Sequence, residues 1–193
     1  MTIDKPTQWY FAYGSNLCRE VREERRALQP LMAQTAVLHD YSLAFNHPGI
    51  PVIEPCFANL RAVPGARVFG MAYQLSDDDA CKLNSSEGEN YQIVDLTVYA
   101  DNIGEIDCFS YVSIDTIEGK RPSRRYLHKI INGASENSLP DAYIDDLRQV
   151  ATTHIPVVSG VMDQVSRHIL SRSTSGKRVL FPGIRLGAHR TES

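Results

Sequence analysis

Near its amino terminus the chain reads WYFAYGSNL over residues 9–17, and this stretch predicts a short strand that ends abruptly in a polar loop. Its first five residues form a largely aromatic run of high β propensity. Gly14, Ser15 and Asn16 follow, and residues of these types favour a turn. Such a turn exposes successive backbone N–H groups, which can hold an anion or an oxyanion. Taken alone, the pattern is also that of an ordinary turn.

Six segments in total predict β-strands, and the turn signals between them favour mostly antiparallel pairing. Pro64-Gly65 predicts a hairpin between the third and the fourth strand, and Asn102 with Gly104 predicts the turn between the last two. The Pro-rich stretch up to Pro55 reads as a loop. The strand segments are residues 9–13, 35–46, 57–63, 68–75, 91–100 and 105–113.

Helices are predicted between and after these strands. Polar and charged residues over 19–26 suggest a solvated helix. Ser76, followed three residues later by Asp79, resembles a capping box and opens a short helix that runs to about Ser86. Beyond Pro122, apolar residues recur with a helical period. These later helical patterns cover residues 127–134, 139–150 and, more weakly, 159–170.

Composition and charge describe a chain with one substantial core. Of the 193 residues, 42% are apolar and 22% are charged, and the formal net charge is −3. No basic field draws such a chain to nucleic acid or to an anionic membrane, so neither is expected as a partner. We expect an N-terminal leader over residues 1–8, a single domain over residues 9–170 and a C-terminal tail over residues 171–193.

The sequence contains no apolar run long enough for a signal peptide or a membrane span, which predicts a cytoplasmic protein. Its four cysteines are widely spaced and predict buried free thiols. The six histidines are scattered, and the common phosphate-binding, dinucleotide-binding, zinc-binding and nucleophile-elbow motifs are missing. We therefore expect neither a metal nor a cofactor.

Glu87 is the carboxylate that the sequence singles out. It stands in Ser86-Glu87-Gly88, at the expected end of a helix, where the helix dipole disfavours negative charge. Taken alone, the residue also reads as an ordinary solvated glutamate.

Three motifs in a fixed order resemble the γ-glutamylcyclotransferase family. The first is Tyr-Gly-Ser-Asn within residues 11–17, the second is Ser-Glu-Gly at 86–88, and the third runs from Tyr126 through Lys-Ile-Ile-Asn-Gly-Ala to Leu139-Pro140. The similarity covers about residues 9–150. It implies an α+β fold in which a small, mostly antiparallel β-barrel of about six strands is flanked by helices. It also implies a cofactor-independent enzyme and suggests a homodimer.

The resemblance further implies which residues act on the substrate. Glu87 would be the general acid/base in the release of 5-oxoproline from a γ-glutamyl compound. The α-amine of the substrate is then the nucleophile, so no serine or cysteine nucleophile is required. A packing role stays open for the three tyrosines outside the loop. The implied substrate-binding residues are Tyr13, Gly14, Ser15, Asn16, Leu17, Tyr91, Tyr111 and Tyr126.

Three functions remain open at this point. The leading one is cyclisation of the γ-glutamyl group of a γ-glutamyl amino acid or peptide, with release of the free amino acid. The second is the same reaction on a γ-glutamylamine or a γ-glutamyl metabolite of a biosynthetic pathway. The third is a module that binds a γ-glutamyl ligand without turnover. The orientation of Glu89 is also open. It faces either solvent or the site, and in the site its charge would disfavour acidic acceptor groups.

Overall fold

The computed structural model describes residues 7–50, 53–87 and 90–153. Within these ranges, five strands and three α-helices account for the regular structure. The strands are β1 (Thr7–Ala12), β2 (Met32–Ile50), β3 (Glu54–Ser76), β4 (Tyr91–Ala100) and β5 (Gly104–Ser113). The helices are α1 (Asp77–Ser86), α2 (Arg124–Glu136) and α3 (Asp141–Gln149), with a 3₁₀ turn at Ser15–Leu17 and a π-helical turn at Glu20–Arg25.

The strands form a closed barrel in the order β1-β3-β2-β4-β5. Neighbours pair antiparallel except at the closure, where β1 runs parallel to β5 and Tyr10 lies opposite Phe109. Closure leaves the sheet without open edges. The predicted barrel flanked by helices is thus confirmed, although the described part of the chain has five strands instead of about six.

The strand count differs because the predicted hairpin at Pro64-Gly65 is wrong. Residues 57–63 and 68–75 belong to one continuous strand, β3, which pairs along its length with β2. Gly65 has a φ of +78° and Asp40 a φ of +62°, and the Gly65 N–H donates to Asp40 Oδ1 at 2.8 Å. The register also shifts between His39 and Tyr41, so the turn signal marks a bulge.

The predicted loop before Pro55 is shorter than expected. β2 continues to Ile50 and pairs with the start of β3, with His47 opposite Phe57 and Ile50 opposite Glu54. This extension carries His47 towards residues of the candidate site.

Helix α1 begins where the sequence predicts, whereas α2 begins at Arg124, before the predicted pattern of residues 127–134. The Ser76 side chain accepts a hydrogen bond from the Asp79 N–H at 3.2 Å, which caps α1. Ser123 caps α2 in the same way, accepting from the Tyr126 N–H at 3.0 Å, and buried Glu54 accepts from the Ser123 N–H at 2.7 Å. The helical pattern at 159–170, the tail over residues 171–193 and Glu89 lie outside the described residues.

Helix α2 packs directly against the loop that follows β1. A Cβ atom added to Gly133 would lie only 2.4 Å from the Cys18 backbone nitrogen and 2.6 Å from the Leu17 Cβ. Asn137 Nδ2 also donates to the Leu17 carbonyl at 2.9 Å. Only glycine allows this close approach, and it fixes the loop between α2 and the barrel.

None of the helices in the described ranges is long and apolar enough to cross a membrane. All four cysteines are free thiols, as expected. Cys18, Cys56 and Cys108 are buried, whereas Cys81 on α1 is exposed, contrary to the expectation that all four are buried.

Candidate active site

The polar loop leaves the end of β1 and is held there by its own turn. The N–H groups of Leu17 and Cys18 donate to the carbonyls of Gly14 and Ser15, at 3.0 and 3.1 Å. Backbone donors for a ligand would therefore come from Gly14, Ser15 and Asn16. The Leu17 side chain is fully buried, so it holds the loop on the core instead of lining a site.

Glu87 is delivered to this loop by α1. Its N–H caps the helix by donating to the Leu83 carbonyl at 3.1 Å, and its side chain is only 13% exposed. Asn16 Nδ2 lies 3.4 Å from Glu87 Oε1, across 71 positions of sequence. The fold thus brings together the two motifs that the sequence analysis singled out.

The amide of Asn16 is oriented by two partners and leaves one polar atom unused. Its Nδ2 donates to the Tyr10 hydroxyl at 2.8 Å, in addition to the contact with Glu87. Its Oδ1 is buried and has no hydrogen-bond partner among the described residues. A buried acceptor without a donor is costly, so this oxygen is suited to receive a donor from a ligand.

Arg26 is a member of the site that the sequence analysis missed. Its guanidinium lies 2.9 Å from Glu87 Oε1 and also donates to the Ser86 hydroxyl. Burial alone would lower the pKa of Arg26, but the charge of Glu87, its hydrogen bond to the guanidinium and the nearby Tyr10 and Tyr111 hydroxyls together raise it. The site therefore contains a close ion pair between Arg26 and Glu87 that has little exposure to solvent.

The tyrosines predicted to bind substrate surround this pair. Tyr13 donates to the Tyr111 carbonyl at 2.5 Å, and the Tyr111 hydroxyl donates to Asn84. Tyr91 donates to the Ala58 carbonyl at 3.1 Å. These contacts join the loop to β5, β5 to α1, and β4 to β3.

Tyr126 reaches the same place from α2. Its hydroxyl accepts from the Ala58 N–H at 3.1 Å, so Tyr91 and Tyr126 bind opposite groups of one residue of β3. A Cβ atom at Gly14 would lie 3.6 Å from that hydroxyl. The loop, Tyr91 and Tyr126 therefore share one side of the site.

These tyrosines stay neutral. Burial raises the pKa of each one, and the charge of Glu87 raises it further. Each hydroxyl therefore keeps its proton and can donate it in a hydrogen bond. The set consists of Tyr10, Tyr13, Tyr91, Tyr111 and Tyr126.

Further aromatic side chains extend the site away from Glu87. The His47 ring stacks on Tyr91 with centroids 4.0 Å apart. Phe57 and Phe45 meet the Tyr126 ring edge-on, at 5.1 and 6.5 Å. No sequence motif singles out these residues, because a scattered histidine and two strand phenylalanines are typical of an ordinary core.

No group of three or more His, Cys, Asp or Glu side chains in the described ranges is arranged to hold a metal ion. The predicted site residues that the structure describes thus form one cluster around Glu87, with Leu17 beneath it. We refer to this cluster, including Arg26 and Tyr10, as the Glu87 site.

Comparison of the sequence with protein families and with known proteins finds several similar proteins. The model of the AIG2-like family matches residues 67–147. Gamma-glutamylcyclotransferase from Bos taurus is 31% identical over 147 residues, which cover 73% of this chain and 77% of that protein. Gamma-glutamyl cyclotransferase gliK from Aspergillus fumigatus is 32% identical over 164 residues, which cover 71% of this chain and 60% of that protein.

Solved structures agree with these matches. A gamma-glutamyl cyclotransferase superposes with a TM-score of 0.72 and 25% identity, over 84% of this chain and 99% of that one. A human protein described as uncharacterized superposes with a TM-score of 0.71 and 27% identity, over 82% and 97% of the two chains. With this sequence identity, this barrel and these motifs in order, the chain belongs to the γ-glutamylcyclotransferase family of enzymes.

Proposed function

We propose that this protein cyclises the γ-glutamyl group of a γ-glutamyl amino acid or peptide and releases 5-oxoproline and the free amino acid. Glu87 is the general acid/base of the reaction. The observation that carries the proposal is the mostly buried Glu87 carboxylate held 3.4 Å from Asn16, in the loop expected to bind the γ-glutamyl group.

The reaction needs no nucleophile from the protein. The α-nitrogen of the substrate loses a proton, attacks its own γ-carbonyl carbon and closes a five-membered ring. The bond from that carbon to the acceptor nitrogen then breaks. Holding the two reacting groups of one molecule together contributes up to about 7–11 kcal/mol in well-oriented cases.

The protons balance within the substrate. The α-ammonium gives up two protons as it becomes the lactam N–H, and the acceptor nitrogen gains two as it leaves as an ammonium. A single carboxylate can pass these protons if it lies within about 3 Å of both nitrogens. No water is consumed and no further group is required.

Asn16 supports this arrangement from the other side of the α-nitrogen. Its buried Oδ1 has no partner among the described residues, and the Nδ2 of the same amide lies 3.4 Å from Glu87 Oε1. An α-ammonium offers three donors, so it can bind Asn16 Oδ1 and Glu87 at the same time. The N–H groups of Gly14, Ser15 and Asn16 are then the candidates for stabilising the negative charge on the γ-carbonyl oxygen.

A second candidate is the same cyclisation on a γ-glutamylamine or a larger γ-glutamyl metabolite. The aromatic side chains beside Tyr91 and Tyr126, namely His47, Phe45 and Phe57, favour this candidate. Aromatic faces bind apolar groups. They carry no positive charge, so they do not select for an acceptor group that has a carboxylate.

The test is 5-oxoproline release from a panel of γ-glutamyl dipeptides, γ-glutamylamines and glutathione. We expect product from the wild type and a loss of about 10²–10⁴ in rate for Glu87→Gln. Glu118→Gln, at an exposed position, is the matched control and should behave as the wild type. Turnover of γ-glutamylamines alone would select the second candidate. Tight binding of the panel without any product would refute both and leave a binding module.

A further inference from the structure

Arg26 contacts Glu87 more closely than any residue of the recognised motifs. Its guanidinium lies 2.9 Å from Oε1, against 3.4 Å for Asn16 Nδ2. The Arg26 side chain is 17% exposed and the Glu87 side chain 13%, so solvent screens the pair poorly. Charge-assisted hydrogen bonds of this kind are shorter and stronger than neutral ones and fix geometry.

An unusual turn brings Arg26 inward. The Arg26 N–H donates to the Val21 carbonyl at 3.1 Å, five residues back, at the end of the π-helical turn. Ala27 follows with a φ of +51°, a region that residues with a Cβ seldom adopt. Leu28 is fully buried and its N–H donates to the Arg22 carbonyl at 3.0 Å. π-Helical turns and left-handed non-glycine residues occur preferentially at functional sites.

Within the part of the chain that the structure describes, the other titratable groups that interact with Glu87 carry no charge. They are hydroxyls whose pKa values are raised by burial, and they belong to Tyr10, Tyr13, Tyr91, Tyr111 and Tyr126. They come from β1, the loop, β4, β5 and α2. Among the described residues, Arg26 is therefore the charged group that the structure places against the carboxylate.

We propose that Arg26 is a positioning residue: together with Asn16 it binds Glu87 Oε1, so that Oε2 is the oxygen that exchanges protons with the substrate. Among the described residues, Arg26 and Asn16 both contact this carboxylate on Oε1. Ser86, which also binds the guanidinium, fixes its direction. The inference rests on the proposed function, because only a reaction uses the second oxygen.

The experiment compares Arg26→Met, Arg26→Lys and Arg25→Met in the full chain. Arg26→Met removes the charge and the donors at similar length, Arg26→Lys keeps the charge without the planar fork, and exposed Arg25 is the matched control. For Arg26→Met we expect kcat to fall by about 10²-fold, since a carboxylate displaced by an ångström has that effect, with little change in KM.

The pH profile separates positioning from a structural role. Without the cation, the charged form of the carboxylate is disfavoured, so the acid limb of kcat/KM moves to higher pH in Arg26→Met. Arg26→Lys should restore the wild-type limb but only part of kcat. A rise in KM at unchanged kcat would overturn the proposal and assign Arg26 to the α-carboxylate of the substrate. An unchanged kcat and acid limb would leave it only a structural role.

One readout does not depend on turnover. Carbon-13 NMR of the glutamate carboxyls, with Glu87→Gln to assign the signal, follows the titration of Glu87 directly. The midpoint should lie higher in Arg26→Met than in the wild type, and identical midpoints would overturn the proposal. If the wild type released no 5-oxoproline, the proposed function would fail while this measurement still tested the ion pair. Ser86→Ala should show the same changes at smaller size, and it replaces Arg26→Met if that variant does not fold.

Discussion

Tyr13 and Tyr111 join the loop to the barrel, because the hydroxyl of Tyr13 donates to the main-chain carbonyl of Tyr111 at 2.5 Å. The bond spans 98 positions of sequence, and both residues are buried. The start of the loop is thereby tied to β5, the strand that also carries Tyr111 towards Glu87. The loop is held on both sides, by this bond and by α2.

The variant Tyr13→Phe tests this tie. It leaves the buried Tyr111 carbonyl without its donor, which costs about 1–3 kcal/mol of unfolding free energy. Because the loop is then less restrained, KM should also rise. Denaturant unfolding and initial rates measure the two effects. Tyr99→Phe, at an exposed position on β4, is the control and should change neither. Wild-type stability in Tyr13→Phe would show that the bond contributes nothing.

The variant Gly14→Ala separates binding from folding. The added methyl would lie 3.4 Å from Ala58 Cβ and 3.6 Å from the Tyr126 hydroxyl, which are ordinary contact distances. We therefore expect a thermal midpoint close to that of the wild type. The methyl occupies space that the loop shares with Tyr126, so KM for γ-glutamyl substrates should increase. An unchanged KM would indicate that substrate does not approach this face of the loop.

The variant Gly133→Ala should have the opposite pattern. Its methyl would lie 2.4 Å from the Cys18 nitrogen, a backbone atom that cannot yield without moving the loop. Overpacking of this kind costs about 1–3 kcal/mol. Denaturant unfolding measures the loss, and Asn132→Ala, exposed on the same helix, is the control. Equal stability of the two variants would mean that α2 can move away from the loop freely.

The stability of the protein should fall in mild acid because of His47. Its Nδ1–H donates to Ser113 Oγ at 2.7 Å, since that hydroxyl uses its own proton on the Asp115 carbonyl. Burial lowers the pKa of His47 to about 4, although Asp115 opposes the shift. The unfolded chain, with a histidine pKa of about 6.5, binds more protons between these two values. The contribution of neutral His47 to stability is therefore fully present above about pH 6.5 and is lost as the pH falls towards 4.

Thermal midpoints measured from pH 7 to pH 4 test this dependence on His47. His47→Gln should flatten the decline because the titrating group is gone, whereas exposed His39→Gln should keep the wild-type slope. An equal slope in His47→Gln and wild type would assign the acid sensitivity to other groups.

Much of the site could be predicted because its residues lie in local patterns. The aromatic run before Gly14 and the capped helix before Glu87 each predict an element that ends at a functional residue, and both elements are observed. That the two ends meet follows from barrel topology, which residue periodicity alone does not contain. The family resemblance supplied that information.

Arg26 could not be predicted in this way. It is one of four arginines in residues 19–26, and local pattern treats them alike as parts of a solvated helix. The π-helical turn changes the angle per residue, and this decides that Arg26 faces Glu87 while Arg25 stays exposed. The hairpin expected at Pro64-Gly65 failed for a related reason, because the long pairing of β2 with β3 outweighs a local turn signal.

The parallel pairing of β1 with β5 has a consequence for when the enzyme becomes active. It joins the first and last strands of the barrel, and the loop and Tyr111 meet across the same seam. Contacts so distant in sequence form slowly, whereas β2 and β3 pair through near neighbours such as Ile50 and Glu54. During refolding, catalytic activity should therefore return only when the barrel closes, after most of the spectroscopic signal of the β-sheet has been recovered.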